Sequence, residues 1–120
     1  MPAADRITVL RAILDSGAVP PFSAPDPDTA FDMVAGCAEG GARVVEFTNR
    51  GDFAHDTFLA LARRVAAELP DVILGAGTVI DAPTAALFIA ARARVIVGQS
   101  FSADVARLCN RRRVVYVPGC

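Results

Sequence analysis

Two rhythms alternate along the chain. Short, nearly unbroken runs of Val and Ile are separated by longer stretches in which apolar residues recur at helical spacing. The spacing predicts a first helix over 5–15, with Ile7, Leu10, Ile13 and Leu14 on one face and Gly17 ending it. Residues 18–23 read as a short strand, weakened by Pro20 and Pro21 because proline has no N–H for a ladder. Pro25-Asp26-Pro27-Asp28 is a turn, with Asp28 placed to cap a helix over 28–39 that buries Ala30, Phe31, Val34 and Cys37. Gly40-Gly41 closes that helix.

The second strand is predicted over 43–47 and runs into Thr48-Asn49-Arg50. Asp52 is placed to cap a helix reaching Glu68, with Phe53, Phe58, Leu61 and Val65 among its apolar positions. A third strand follows over 72–77, and a helix started by Asp81 or Thr84 runs to about Ala91. A fourth strand covers 94–98, Ser102 caps a helix to about Arg111, and a fifth strand covers 113–117. The strands begin near 18, 43, 72, 94 and 113, a pitch that makes a run of βαβ units and hence a parallel sheet. Continuous Val/Ile runs suit strands covered on both faces. The absence of a linker or composition break makes 1–120 a single α/β domain. Five strands complete an open doubly wound sheet but are too few to close a (β/α)₈ barrel, so pattern and length alone favour the open sheet.

Composition narrows the class. At 53% hydrophobic residues the chain has the apolar surface a disordered segment lacks. A net charge of -1 argues against a nucleic-acid partner or a polybasic membrane surface. Asp5, Arg6, Arg11 and Asp15 interrupt any signal-peptide core, and no stretch approaches a membrane span. Cys37, Cys109 and Cys120 are odd in number and far apart, which reads as reduced thiols in a cytoplasmic protein. There is no lysine, so no side-chain amine is present to form a Schiff base.

Glu46 carries the strongest chemical signal. It interrupts an apolar strand, sharing one face with Val44 and Thr48 while Val45 and Phe47 take the other. A carboxylate on a covered face loses hydration, which raises its pKa and suits it to general acid–base work. A structural Glu paired with an arginine is the competing reading. Arg50 lies just past the same strand, where α/β folds bind ligands and where a guanidinium can hold a carboxylate or phosphate. The alternative is an ordinary surface arginine, since the chain has twelve. Gly75-Ala76-Gly77-Thr78 reads as a small-residue turn at the end of the third strand, with Thr78 adding a hydroxyl; a plain βα turn would look the same. His55 reads as a solvated surface residue, Arg111-Arg112-Arg113 as a solvated loop, and the Phe and Met positions as core. Ser100 and Ser102 lack the setting of a nucleophile elbow. Metal-dependent chemistry on Glu46 would need a second ligand, and none stands at a convincing spacing.

In combination the segments become specific. Gly41-Ala42-Arg43-Val44-Val45-Glu46-Phe47-Thr48-Asn49-Arg50, then Leu74-Gly75-Ala76-Gly77-Thr78-Val79, then Val97-Gly98 and Val117-Pro118-Gly119, resemble the 2-keto-3-deoxy-6-phosphogluconate / 4-hydroxy-2-oxoglutarate (KDPG/KHG) aldolase family. Gly17-Ala18-Val19-Pro20 also fits, and the resemblance runs from about residue 5 onward. It implies a TIM (β/α)₈ barrel and a class I aldolase, a cytoplasmic carbon–carbon lyase of carbohydrate metabolism. Such an enzyme cleaves a 2-keto-3-deoxy sugar acid to pyruvate and an aldehyde, glyceraldehyde 3-phosphate or glyoxylate. By resemblance Glu46 is the proton shuttle, and Arg50 and Thr78 bind the pyruvyl carboxylate. The partners implied are a keto acid and, as in intact trimeric relatives, further copies of the chain. No cofactor or metal is implied, nor is a nucleic-acid or membrane partner.

The departures from the family pattern set further expectations. The family's Schiff-base lysine belongs to strand six and its phosphate-binding turn to strands seven and eight, so the chain reads as the first five βα units of a barrel, inactive by itself. Ser23 stands where many members carry a basic residue, Gln99 where proline is common, and Arg92 where a helix-ending glycine is usual. The competing reading is a non-catalytic binding or assembly module built on an open α/β sheet.

Overall fold

A computed structural model describes residues 3–120. Met1 and Pro2, the first two positions of the 1–120 assignment, lie outside the described residues. Five helices and five strands alternate: α1 (Arg6–Ser16), β1 (Pro21–Phe22), α2 (Pro27–Glu39), β2 (Val44–Thr48), α3 (Ala54–Glu68), β3 (Ile73–Gly77), α4 (Ala82–Ala90), β4 (Val95–Gly98), α5 (Ala103–Arg112) and β5 (Val115–Pro118). The strands form one all-parallel sheet in the order β1-β2-β3-β4-β5. β1 is only two residues long, as the two prolines before Phe22 anticipate.

That strand order decides between the two architectures. A doubly wound sheet reverses its order at a switch point and places helices on both faces. Here the order never reverses, and one apolar cluster joins Val45, Phe47, Leu74, Ala76 and Ile96 to side chains of α2, α3, α4 and α5. The helices that follow β1–β4 therefore cover one face, as in successive units of a (β/α)₈ barrel. A second cluster occupies the other, inner face: Val44, Ile73, Val95 and Val115, closed at the lower end by Val9 and Ala12 of α1. The open-sheet expectation is overturned on this ground.

Phe47, Phe58 and Phe88, all essentially inaccessible, link β2, α3 and α4 through ring centroids 5.6 and 5.1 Å apart. α1 departs from its predicted face. Ile7, Leu10 and Leu14 are exposed, and the helix rests instead on Val9 and Ala12. Ala12 has no side chain beyond Cβ, so that side of the helix can approach the strands closely. Arg6 then ties α1 to the end of α5: one Nη2 donates to the Cys109 carbonyl at 3.1 Å, and at 3.4 Å to the Val114 carbonyl and Asn110 Oδ1. A cation there also meets the negative end of the α5 dipole.

Helix ends show where local chemistry was read correctly and where it was not. Asp81 and Ser102 cap α4 and α5 by accepting from the amides of Thr84 and Val105. Gly17 closes α1 in the left-handed conformation. The cap of α2 is Asp26 rather than Asp28, because Pro27 takes the first helical position. Asp52 does not cap α3. Phe53 occupies that position at φ 61° without a side-chain cap, 80% exposed. Phe53, Phe101 and Met33 are thus surface residues rather than core. His55 is not simply solvated: its Nε2 lies 3.3 Å from the Leu87 carbonyl and its ring meets Phe88 edge-on, bridging α3 and α4. Among the described residues no helix is long and apolar enough to cross a membrane.

Candidate functional site

Side chains alternate along β2, so Val44, Glu46 and Thr48 face inward while Val45 and Phe47 enter the helix-covered layer. The register places Glu46 beside Gly75 and Thr48 beside Gly77 on β3. Glu46 lies in a wall otherwise built of small or aliphatic residues. Its carboxyl reaches diagonally across the strand pair onto Gly77: a Cβ there would fall 2.6 Å from Glu46 Cδ and overlap the carboxylate. Gly75 is constrained less severely, with Val95 3.0 Å from where its Cβ would stand. These glycines belong to β3 itself rather than to a turn. The missing side chain of Gly77 makes room for the glutamate and that of Gly75 for Val95, roles that a small-residue turn does not reveal in sequence.

Partial burial lifts the Glu46 carboxyl above its ordinary value. No arginine pairs with it among the described residues, which disposes of the structural ion-pair reading. The site thus holds a desolvated carboxyl on the inner face, with no hydrogen bond among the described residues. Such a group is suited to take and return a proton.

Arg50 and Thr78 come next in sequence to a pinned pair. The Asn49 amide donates to the Gly77 carbonyl at 2.8 Å, and each candidate follows its member of that pair by one residue. Both therefore leave the C-terminal ends of adjacent strands. Arg50 is exposed and makes no hydrogen bond or ion pair among the described residues. Thr78 is half-buried at φ 57°, a left-handed conformation that is uncommon for a β-branched residue and that redirects the chain at the mouth of the sheet. Thr48, buried on the inner face one step above Glu46, lines the same wall. Ser23 and Gln99 are both exposed.

Two further groups escaped the sequence reading. The Tyr116 hydroxyl accepts from the Ser102 amide at 3.0 Å and donates to the Ser100 carbonyl at 3.4 Å, fixing the loop after β4. Gly119 lets the end of β5 pass under the Gln99 carbonyl, where a Cβ would collide. Neither signal is visible before the strands are aligned. Among the described residues no group of three or more His, Cys, Asp or Glu is arranged to hold a metal ion.

Residues 11–120 match the family model described as KDPG and KHG aldolase. A 2-dehydro-3-deoxy-phosphogluconate aldolase of Pseudoalteromonas atlantica is 33% identical over 101 residues, which are 84% of this chain and 45% of that protein. A KHG/KDPG aldolase of Escherichia coli is 28% identical over 113 residues, 93% of this chain and 51% of that one. The chain thus spans about half the length of the curated relatives it matches. Among solved structures, a 4-hydroxy-2-oxoglutarate / 2-dehydro-3-deoxyphosphogluconate aldolase from TTHB1 superposes with a TM-score of 0.79 at 24% identity. The match covers 98% of this chain and 55% of that one.

Proposed function

The chain belongs to the KDPG and KHG aldolase family, a family of carbon–carbon lyases with a (β/α)₈ barrel, and from that membership we propose that its C-terminal mouth is the pyruvate-handling half of an aldolase site. Residues 1–120 form one α/β domain, the first five units of that barrel. The observation that carries the proposal is the lone, desolvated Glu46 carboxyl resting on Gly77, directly below the mouth from which Arg50 and Thr78 emerge.

Aldol cleavage of a 4-hydroxy-2-keto acid breaks the C3–C4 bond. A base removes the C4 hydroxyl proton, the aldehyde carbonyl forms, and the released electron pair moves toward C2. A proton then returns to C3 to complete pyruvate. Glu46 is the group suited to both transfers, because its raised pKa lets it be base and then acid. Arg50 is free to hold the keto-acid carboxylate by two parallel hydrogen bonds, and Thr78 supplies a hydroxyl and an amide beside it. The sink at C2 is an amine in this family by resemblance, and these 120 residues contain no lysine. The imine-forming amine is therefore contributed from outside them, and the chain alone does not turn over. The protein is cytoplasmic and acts as an assembly of copies.

The test has two arms. Titration of the chain with pyruvate, followed by amide NMR, is expected to shift the resonances of Arg50, Thr78 and Gly77, and Arg50→Ala is expected to abolish the effect. A chimera carrying residues 1–120 in place of the matched half of the Pseudoalteromonas atlantica aldolase is expected to cleave KDPG. Glu46→Gln should slow it by about 10²-fold or more. Pyruvate shifts confined to other regions, or a folded active chimera indifferent to Glu46→Gln, would overturn the assignment.

A further inference from the structure

The lower end of the sheet, opposite the mouth, carries an unusual concentration of positive charge. Arg43 stands just before β2, Asp71 just before β3, and Arg92 and Arg94 just before β4. All four line one cavity of about 200 Å³. The first turn of α1 supplies Thr8 to its rim, and Val65 and Val72 belong to its apolar floor. Three arginines and one aspartate thus line the cavity.

Sheet hydrogen bonds fix the backbone at two of these positions. The Arg43 carbonyl accepts from the Ile73 amide at 2.8 Å, and the Arg94 amide donates to the Leu74 carbonyl at 2.8 Å. The Arg94 guanidinium spends Nη2 on the Ile89 carbonyl at 2.9 Å and Nε on the Arg92 carbonyl at 3.4 Å. The rest of its five-donor fork makes no hydrogen bond among the described residues. Arg92 sits at φ 82°, where glycine would be unstrained. Burial first, and the Arg92 charge second, hold the Arg94 guanidinium below its ordinary range. Like charges are therefore crowded at a half-buried corner.

We propose that this cavity is a second binding site, specific for a small phosphate-bearing anion. Guanidinium forks match phosphate oxygens in geometry, and arginine outnumbers acid in the lining by three to one. The apolar floor excludes water and strengthens each of those contacts. The cavity is smaller than the roughly 300–1,000 Å³ typical of larger organic ligands. It therefore suits free phosphate or a short phosphate monoester rather than a nucleotide. The site is separate from the mouth: Arg43 and Arg50 lie at opposite ends of β2, about 23 Å apart at the rise of an extended strand. Ligand there stabilises the fold by mass action and leaves the keto-acid site open.

Amide NMR titrations of the 120-residue chain test this, using inorganic phosphate and glycerol 3-phosphate in parallel against sodium chloride at equal ionic strength. Saturable shifts at Thr8, Asp71 and Arg94 are expected with at least one phosphate compound. Tighter binding of glycerol 3-phosphate would assign the site to an ester, and tighter or equal binding of inorganic phosphate to the free ion. Arg43→Gln removes an exposed side chain with no bond to the rest of the described residues, and should weaken binding about tenfold. Asp71→Asn should tighten it severalfold. Absence of saturable shifts with both compounds would overturn the proposal. So would shifts confined to Arg50 and Thr78, or affinities that neither variant changes.

Discussion

The Glu46 carboxyl occupies the space that a side chain at Gly77 would need. The two residues are on adjacent strands, and the register brings them together only because β2 and β3 are parallel and in step. Gly77→Ala should therefore destabilise the fold by about 1–3 kcal/mol, the usual cost of overpacking. Glu46→Ala in the same chain should recover most of that loss. Urea denaturation of the two single variants and the double variant gives the coupling, and an additive cycle would show that the contact is absent.

The pH dependence of stability follows from the same carboxyl. Its pKa is raised on folding above the ordinary 4.5, so the native state binds the proton more tightly than the unfolded chain. The contribution is fully present below the unfolded pKa and is lost as pH rises through the folded one. Relative to Glu46→Gln, wild-type stability should decline from about pH 4.5 toward neutrality and be flat below that window. Parallel denaturant midpoints between acid and neutral pH check the sign.

Arg113 closes α5 at φ 56°, a conformation glycine adopts without strain, and its side chain is exposed. Arg113→Gly should raise stability by up to about 1 kcal/mol, read as a higher urea midpoint with an unchanged slope. Arg92 occupies a similar backbone conformation but lines the lower cavity, so its replacement would test two effects at once.

Borohydride reduction in the presence of pyruvate should leave no side-chain adduct on the 120-residue chain, since it has no lysine. Intact-mass and peptide mass spectrometry would detect one. Blocking the α-amine separates a terminal adduct from any other, and a side-chain adduct would contradict the proposal that the imine-forming amine comes from elsewhere.

The pattern of residues revealed the strands and the inward direction of Glu46 because both depend on local alternation. Val45 and Phe47 are apolar and Glu46 is not, and no tertiary information is needed to separate the two faces. The failures have a common physical origin in contacts between distant segments. α1 offers apolar residues nearly all round, and only the sheet below it selects Val9 and Ala12 over Ile7, Leu10 and Leu14. Asp52 has the chemistry of a cap, but the left-handed Phe53 intervenes before α3 begins. The role of Gly77 emerges only when Glu46, 31 positions earlier, is set beside it in the register of the two strands. The cavity of Arg43, Asp71, Arg92 and Arg94 is likewise assembled from three separate αβ junctions.

The Arg6 contacts impose an order on biosynthesis. Its acceptors at Cys109, Asn110 and Val114 lie 103 to 108 residues downstream. The tie between α1 and α5 therefore cannot form until the far end of α5 has been synthesised, more than a hundred residues after Arg6. During that interval Val9 and Ala12 can settle on Val44 and Ile73, but the helix lacks the anchor that holds its first turn.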